Sequence, residues 1–210
     1  MEMTAPKRPL RLTDRKREAI LRAAAAEFRE LGFAGTSMDR IAATAEVSKR
    51  TVYNHFASKD ELFTAILLQL WDASQSLEAL SYDPLRPLRE QLLALVAQKL
   101  CLLSDPNFIE LSRVAMAELL HAPERARLMM DKLAEKEEGL TRWIRAAQAD
   151  GRLRDDIAAA DAAHQLQAMV KAFALWPQMA LGAAPLDANA QQQVMHDCVD
   201  MFLALRALTP

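Results

Sequence analysis

Residues Thr36 to Phe63 read TSMDRIAATAEVSKRTVYNHFASKDELF, and this stretch decides the fold. It holds three helix starts in under thirty residues. Thr36 with Asp39 reads as a capping box, an N-cap hydroxyl answered three positions later by an acid. Ser48 is a good N-cap for the residues after it, and Ser58 with Glu61 repeats the box. Met38, Ile41, Ala42 and Ala45 recur at helical spacing after the first start, followed by Val47; Val52 and Phe56 lie four apart after the second. The stretch therefore predicts two short helices, at about residues 37–45 and 49–56, joined by a tight turn: a helix-turn-helix.

The second of these helices turns Val52 and Phe56 inward and presents Lys49, Arg50, Thr51, Tyr53, Asn54 and His55 on its other faces. Those side chains are donors and acceptors of the kinds that reach phosphates and base edges. A short surface helix with a solvated polar face would look the same in isolation. The surrounding sequence separates the two readings.

The run Thr36-Ser37-Met38-Asp39-Arg40-Ile41-Ala42, then Ala45-Glu46-Val47-Ser48, then Thr51-Val52-Tyr53-Asn54-His55-Phe56 and Lys59-Asp60-Glu61-Leu62-Phe63, closely resembles the DNA-binding domain of the tetracycline-repressor (TetR/AcrR) family of bacterial transcription regulators. The resemblance covers roughly residues 13 to 63. It implies a DNA-binding domain at 13–63 after a flexible basic arm at 1–12, and an effector-binding and dimerisation domain at 64–210. Thr36 and Ser37 are then expected at phosphates from the start of a helix, where free amides attract anions. Lys49, Thr51 and Tyr53 are expected at phosphates or base edges, and His55 and Lys59 at the DNA backbone. Arg50 and Asn54 are the expected base readers, toward guanine and adenine respectively. Members of the family usually carry glycine where this chain has Glu46. A left-handed backbone there strains a non-glycine residue by about 1 kcal/mol, so either Glu46 accepts that cost or the turn takes another shape.

The rest of the chain is consistent with an all-α protein. Its 210 residues are 51% apolar with only five glycines, and no alternating β-branched run appears. No apolar stretch approaches the ~18 residues that span a membrane, and Lys7, Arg8 and Arg11 sit where a signal peptide would need an apolar core. A cytoplasmic protein with no membrane partner is expected. The formal net charge of −2 conceals an asymmetry. Residues 1–60 carry 12 Lys and Arg against 8 Asp and Glu, and the remainder 14 against 20. The basic part is the part with the helix-turn-helix, as an electrostatic footprint for DNA requires.

About nine helices are expected. The first runs from Thr13 or Asp14 to a left-handed cap at Gly32, with Ile20, Ala24, Phe28 and Leu31 inward. The fourth runs unbroken from Ser58 to about Leu80, a stiff lever between domains. Asp83-Pro84, Asp105-Pro106 and Pro123 open the next three, the last stopping at Asp150-Gly151. An eighth runs from about Ala158 to Leu181 with a kink at Pro177, and a ninth from about Asp187 to Leu208.

Methionine and aromatic residues are frequent after residue 64, and such stripes line either a core or an adaptable pocket. The resemblance implies that helices 4 to 7 enclose an apolar small-molecule effector, which makes Leu67, Trp71, Leu95, Lys99, Met116, Leu120, His121 and Trp143 the pocket candidates. It also implies that the last two helices pair with their copies. Val194, Cys198, Met201, Phe202, Leu205 and Leu208 form the apolar stripe of the final helix, with Met169, Phe173 and Trp176 as partners. Such a stripe packs either inside the monomer or across a dimer. Reading two half-sites about 34–36 Å apart favours a homodimer.

No catalytic constellation is evident. His196-Asp197-Cys198 has the residue types of a cysteine nucleophile, but i, i+1 and i+2 point to different sides of a helix. No His-x-x-x-His or Cys-x-x-Cys pair offers a metal site, and no cofactor is implied. Cys101 and Cys198 are expected as buried, reduced thiols. The reading is a non-enzymatic, homodimeric repressor, released from a palindromic operator by an apolar effector. The alternative is a helical apolar-ligand or partner-binding module whose helix-turn-helix does not read DNA.

Overall fold

The computed structural model describes residues 12–76, 81–124, 127 and 139–208. Among them, all regular secondary structure is helical apart from one isolated antiparallel bridge between Leu153 and Ala207. The chain is all-α. The basic arm, Leu77, Met129, Met130 and the 135–138 charge run lie outside the described residues.

Helix α1 (Leu12–Gly35) contains a break at Gly32, whose φ of 71° and ψ of 168° fall in a region open essentially to glycine alone. The expected left-handed cap is thus a sharper, extended bend. Ile20, Ala24 and Phe28 point inward as expected, but Leu31, just before the bend, is 39% exposed. The next cap also shifts by one residue. Ser37, not Thr36, is the N-cap of α2 (Met38–Thr44), its hydroxyl accepting from the Arg40 amide. Ser48 caps α3 (Lys49–His55) by accepting from the Thr51 amide at 3.1 Å. Before α4 (Lys59–Ser76), Ser58 accepts from the Glu61 amide at 3.1 Å while Glu61 accepts from the Ala57 amide at 2.6 Å, a reciprocal box.

Seven-residue helices such as α2 and α3 do not hold alone in water. They are held by burial. Val52 is fully buried and Phe56 nearly so, each adding about 1.5–3 kcal/mol. They join Ile20, Phe28, Met38, Ile41, Leu62 and Phe63 in one core. Phe28, Phe33 and Phe63 meet with ring centroids 5.3–6.0 Å apart.

The second core comprises α5 (Leu88–Leu103), α7 (Gly139–Ala149), α8 (Ala159–Ala174) and α10 (Ala188–Arg206). Helix α5 starts later than Pro84, because the Asp83 carboxylate accepts from the Leu85 amide and Gln91 folds back onto Asp83 and Arg86, making a turn there. Of the expected long helix after Pro123, the described residues cover Pro123, Glu124 and Arg127 at its start and α7 at its end, where Gly151 has φ of 68°. The expected eighth helix breaks at Leu175 into α8 and α9 (Trp176–Leu181), with Pro177 in the first turn after the break. Buried Gln178 pins that break, donating to the carbonyls of Leu103 and Ala174.

Helix α6 (Pro106–His121) belongs to both halves. Val114 and Ala115 lie in the first core, while Phe108 packs against the second. Arg29 of α1 pairs with Glu110 at 2.7 Å, and Arg113 donates to the Gln178 carbonyl. The link between the halves is therefore α6 as well as α4. No single helix among the described residues is long and apolar enough to cross a membrane.

Candidate DNA-reading surface and ligand cavity

On α3 the inward positions Val52 and Phe56 fix which side chains face out. Arg50, Tyr53 and Asn54 stand at i, i+3 and i+4, a single helical face, and all three are exposed. None of the three makes a side-chain hydrogen bond or ion pair among the described residues. Their neighbours are more constrained. Lys49 meets both carboxylate oxygens of Asp39, at 2.8 and 2.9 Å, an exposed pair that raises the lysine's pKa chiefly through the hydrogen bond. The Thr51 hydroxyl lies 2.8 Å from that of Ser48, inside the cap. His55 is half-buried beside the Phe56 ring.

Two expected phosphate contacts are turned onto the protein itself. Thr36 is buried, its hydroxyl proton shared between the carbonyls of Glu27 and Gly32 at 3.0 and 2.9 Å. Only its backbone is left to meet DNA. Lys59 donates to the carbonyls of Phe33 and Thr36 and lies 4.4 Å from the Phe33 ring centroid. Its ammonium thus ties the start of α4 to the carbonyls freed by the bend in α1. Ser37 remains exposed at the head of α2.

Behind this surface is Glu27, a buried acid on α1. It accepts from the Thr44 hydroxyl at 2.5 Å and from Arg40 Nε at 2.9 Å, so both ends of α2 are fastened to α1. The Thr44 bond first, then Arg40, holds its carboxyl below the usual carboxylate range. Glu46 does accept the left-handed turn, with φ of 53°. The turn keeps its shape without glycine.

The second half contains a narrow, partly open space of about 20 Å³, lined by the buried side chains of Leu95, Val96 and Lys99 of α5, Leu140 of α7, and Leu166, Gln167 and Val170 of α8. Of the eight pocket candidates it brings together Leu95 and Lys99. Leu67 sits in the first core instead, because α4 packs there against α1 and α6. Trp143 sits in the second core, its Nε1 donating to Gln91 at 3.3 Å and its ring edge-on to Tyr82. Met116 is half-buried away from the cavity, Leu120 and His121 are exposed, and the Trp71 side chain lies outside the described residues. A larger open groove of about 470 Å³ runs between α1, α4 and the start of α6, with Arg22, Arg29, Glu18 and Glu110 along it.

The apolar stripe of the last helix divides into two faces. Cys198, Val199 and Phe202 are buried in the monomer, which corrects Cys198 and Phe202 as interface residues. Val194 and Met169 pack at the edge of the same core. Met201 and Leu205 on α10, Leu208 just beyond it, and Phe173 and Trp176 on α8 and α9 are each 47–56% exposed. Burial pushes the Cys198 thiol pKa up, whereas Cys101 is exposed, contrary to expectation.

Residues 20–66 match the family described as bacterial regulatory proteins, tetR family, and residues 90–205 match the AefR-like transcriptional repressor, C-terminal domain. The chain belongs to the TetR family of transcriptional regulators. Among relatives of this regulator, the HTH-type transcriptional repressor NicS of Pseudomonas putida is 32% identical over 151 residues, 69% of this chain and 68% of its own. The chain spans about two thirds of the length of the curated relatives it matches. A crystal structure of a TetR family transcriptional regulator from Pseudomonas syringae pv. tomato superposes with a TM-score of 0.86 at 47% identity, covering 95% of this chain and all of that one. The Flavonoid-responsive Regulator FrrA superposes at 0.72 with 27% identity, covering 94% and 100%.

Two features of this regulator escaped the sequence reading. Glu27 was legible as one acid inside the apolar stripe Ile20, Ala24, Phe28. The α8 wall of the cavity carried the same kind of signal: Gln167 interrupts the stripe Ala163, Leu166, Val170, Ala174, all buried. A polar residue on a buried apolar face must find a partner or a ligand.

Proposed function

We propose that this regulator binds a palindromic operator as a homodimer, with α3 in the major groove, and releases it when a small molecule enters the α5–α7–α8 cavity. The observation that carries the reading is the outward face Arg50, Tyr53, Asn54, unengaged and rigidly backed by Val52 and Phe56. Arg offers a bidentate contact to guanine and Asn to adenine. Ser37 and the amides at the head of α2 would meet the flanking phosphates. Lys49, released from Asp39, would add a charge. A protein working on DNA in this way acts in the cytoplasm.

The dimer rests on Phe173, Trp176, Met201, Leu205 and Leu208, an apolar face that a lone molecule would leave in water. The effector role rests on the mainly aliphatic lining of the space between α5, α7 and α8, and a response to a small molecule is part of FrrA's name. Opening the cavity would displace α5 and α8, and through Phe108 and the Arg113–Gln178 contact move α6 against α1. The alternative, a ligand-binding module that does not read DNA, drew its support from the near-neutral net charge and from Glu46, and the left-handed conformation of Glu46 removes the second of these.

Fluorescence anisotropy on DNA fragments from around the protein's own gene, against random DNA at two salt concentrations, tests the reading. Specific binding that weakens steeply with salt is expected. Binding no tighter than to random DNA would remove it.

A further inference from the structure

Two acids of the DNA-reading half each hold a cation, and they differ in what else they do. Glu27 is buried, and besides Arg40 it takes the Thr44 hydroxyl, so its bonds fasten α2 to α1. Asp39 is 62% exposed at its side chain, and Ser37 rather than Asp39 caps the helix. Both of its carboxylate oxygens meet Lys49 Nζ, on a side chain that is itself 60% exposed. An ion pair so exposed adds little to folding. Its place on the surface gives it another consequence. Asp39 lies two residues after Ser37 at the head of α2, and Lys49 is the first residue of α3, one before Arg50. The carboxylate therefore stands beside the surface offered to DNA and holds a cation that a phosphate would take.

Resting on the reading of α3 as the DNA-reading helix, we propose that Asp39 is an internal competitor for phosphate: it occupies Lys49 in the free protein and so holds down the affinity for DNA of every sequence. A carboxylate oxygen and a phosphate oxygen offer the ammonium the same kind of charge-assisted bond. Lys49 exchanges one for the other on binding, so its gain at the DNA is offset by what it leaves. The vacated carboxylate then faces phosphates of like charge. Phosphates carry no sequence, so the effect falls equally on operator and random DNA and leaves discrimination to Arg50 and Asn54.

The test is a double-mutant cycle on the full chain: wild type, Asp39→Asn, Lys49→Met and the two together, each measured on the specifically bound fragment and on random DNA at two salt concentrations. Asp39→Asn is expected to tighten both complexes by about 2- to 5-fold per reading helix, the worth of an exposed ion pair. That gain should shrink as salt rises. Lys49→Met should cost less than about 2-fold in the wild-type background and about 2- to 5-fold more in the Asp39→Asn background. Chemical denaturation of each variant separates these effects from loss of the acid in the first turn of α2, which favours that helix. Asp39→Ser serves where the asparagine variant folds poorly. Weaker DNA binding in Asp39→Asn would mean that Asp39 positions Lys49 and would overturn the proposal. A Lys49→Met loss larger in the wild-type background would mean that Lys49 merely neutralises Asp39, and would overturn it too. So would a gain confined to the operator; all three results leave specific DNA binding, and the regulator reading, in place. Binding no tighter than to random DNA in all four proteins would instead remove that reading, and the proposal with it.

Discussion

Helices α3 and α10 are both amphipathic, yet they divide their surfaces differently. In α3 one apolar ridge is buried and every other outward residue is polar, so each side chain has one available role. In α10 two apolar ridges lie side by side. Cys198, Val199 and Phe202 face the monomer core, while Met201 and Leu205 face out. A helix with one ridge declares its inside and its outside; a helix with two ridges leaves open what, if anything, covers the second. The outward ridge of α10 and the outward face of α3 are two exposed surfaces among the described residues, one apolar and one polar.

The largest expected effect breaks the apolar surface. Leu205→Glu places a charge on the outward ridge of α10 without touching the core. Sedimentation should show a monomer, and operator affinity should fall more than about 100-fold, since a single short helix binds weakly without its two-fold mate. A dimer that survives this change would mean that the ridge is covered in some other way.

The next effect sharpens the contrast on the DNA-reading side, where polar residues divide into those that hold and those that read. Glu27→Ala leaves Thr44 and Arg40 without their acceptor and should cost about 1–3 kcal/mol in chemical denaturation. Folding favours the ionised form of Glu27, whose pKa is lowered. The stability it adds is therefore present above the ordinary carboxylate pKa and lost as pH falls through the lowered folded value. The difference between wild type and Glu27→Ala should shrink on acidification and stay constant at neutral pH and above.

Lys59→Met tests the same division from the other side. The ammonium is engaged with the Phe33 and Thr36 carbonyls. The variant should lose thermal stability while its affinity for DNA keeps the salt slope of the wild type. A slope reduced by about one with stability unchanged would return Lys59 to the phosphate role. Glu46→Gly should have the smallest effect. Relief of the left-handed strain is offset by the added freedom of the unfolded chain, leaving a gain under about 1 kcal/mol.

Sequence made the first half legible because its signals are local. The caps at Ser48 and Ser58, the ridge of Val52 and Phe56, and the outward face of α3 all follow from spacings of three and four. What it misplaced there depended on a bend. Gly32 turns the chain sharply, so Thr36 and Lys59 are spent inside and Ser37 becomes the cap. In the second half, helix spans at 106–121 and 188–206 were legible from Asp105 and Asp187, which cap them. The cavity was not, because its walls come from residues seventy apart, Leu95 to Leu166, and nothing local joins them. Trp143 and Leu67 have the size and chemistry of pocket residues. Helix packing assigns both to cores instead.

In the proposed function, Arg50 reads sequence from a face backed by the buried Val52 and Phe56. The most direct measurement is the affinity of Arg50→Ala, against wild type, for the operator fragment and for random DNA at one salt concentration. A loss of about 1–3 kcal/mol on the operator and relaxed discrimination at one base pair are expected, with little change on random DNA. An equal loss on both would show that Arg50 contributes charge and not readout.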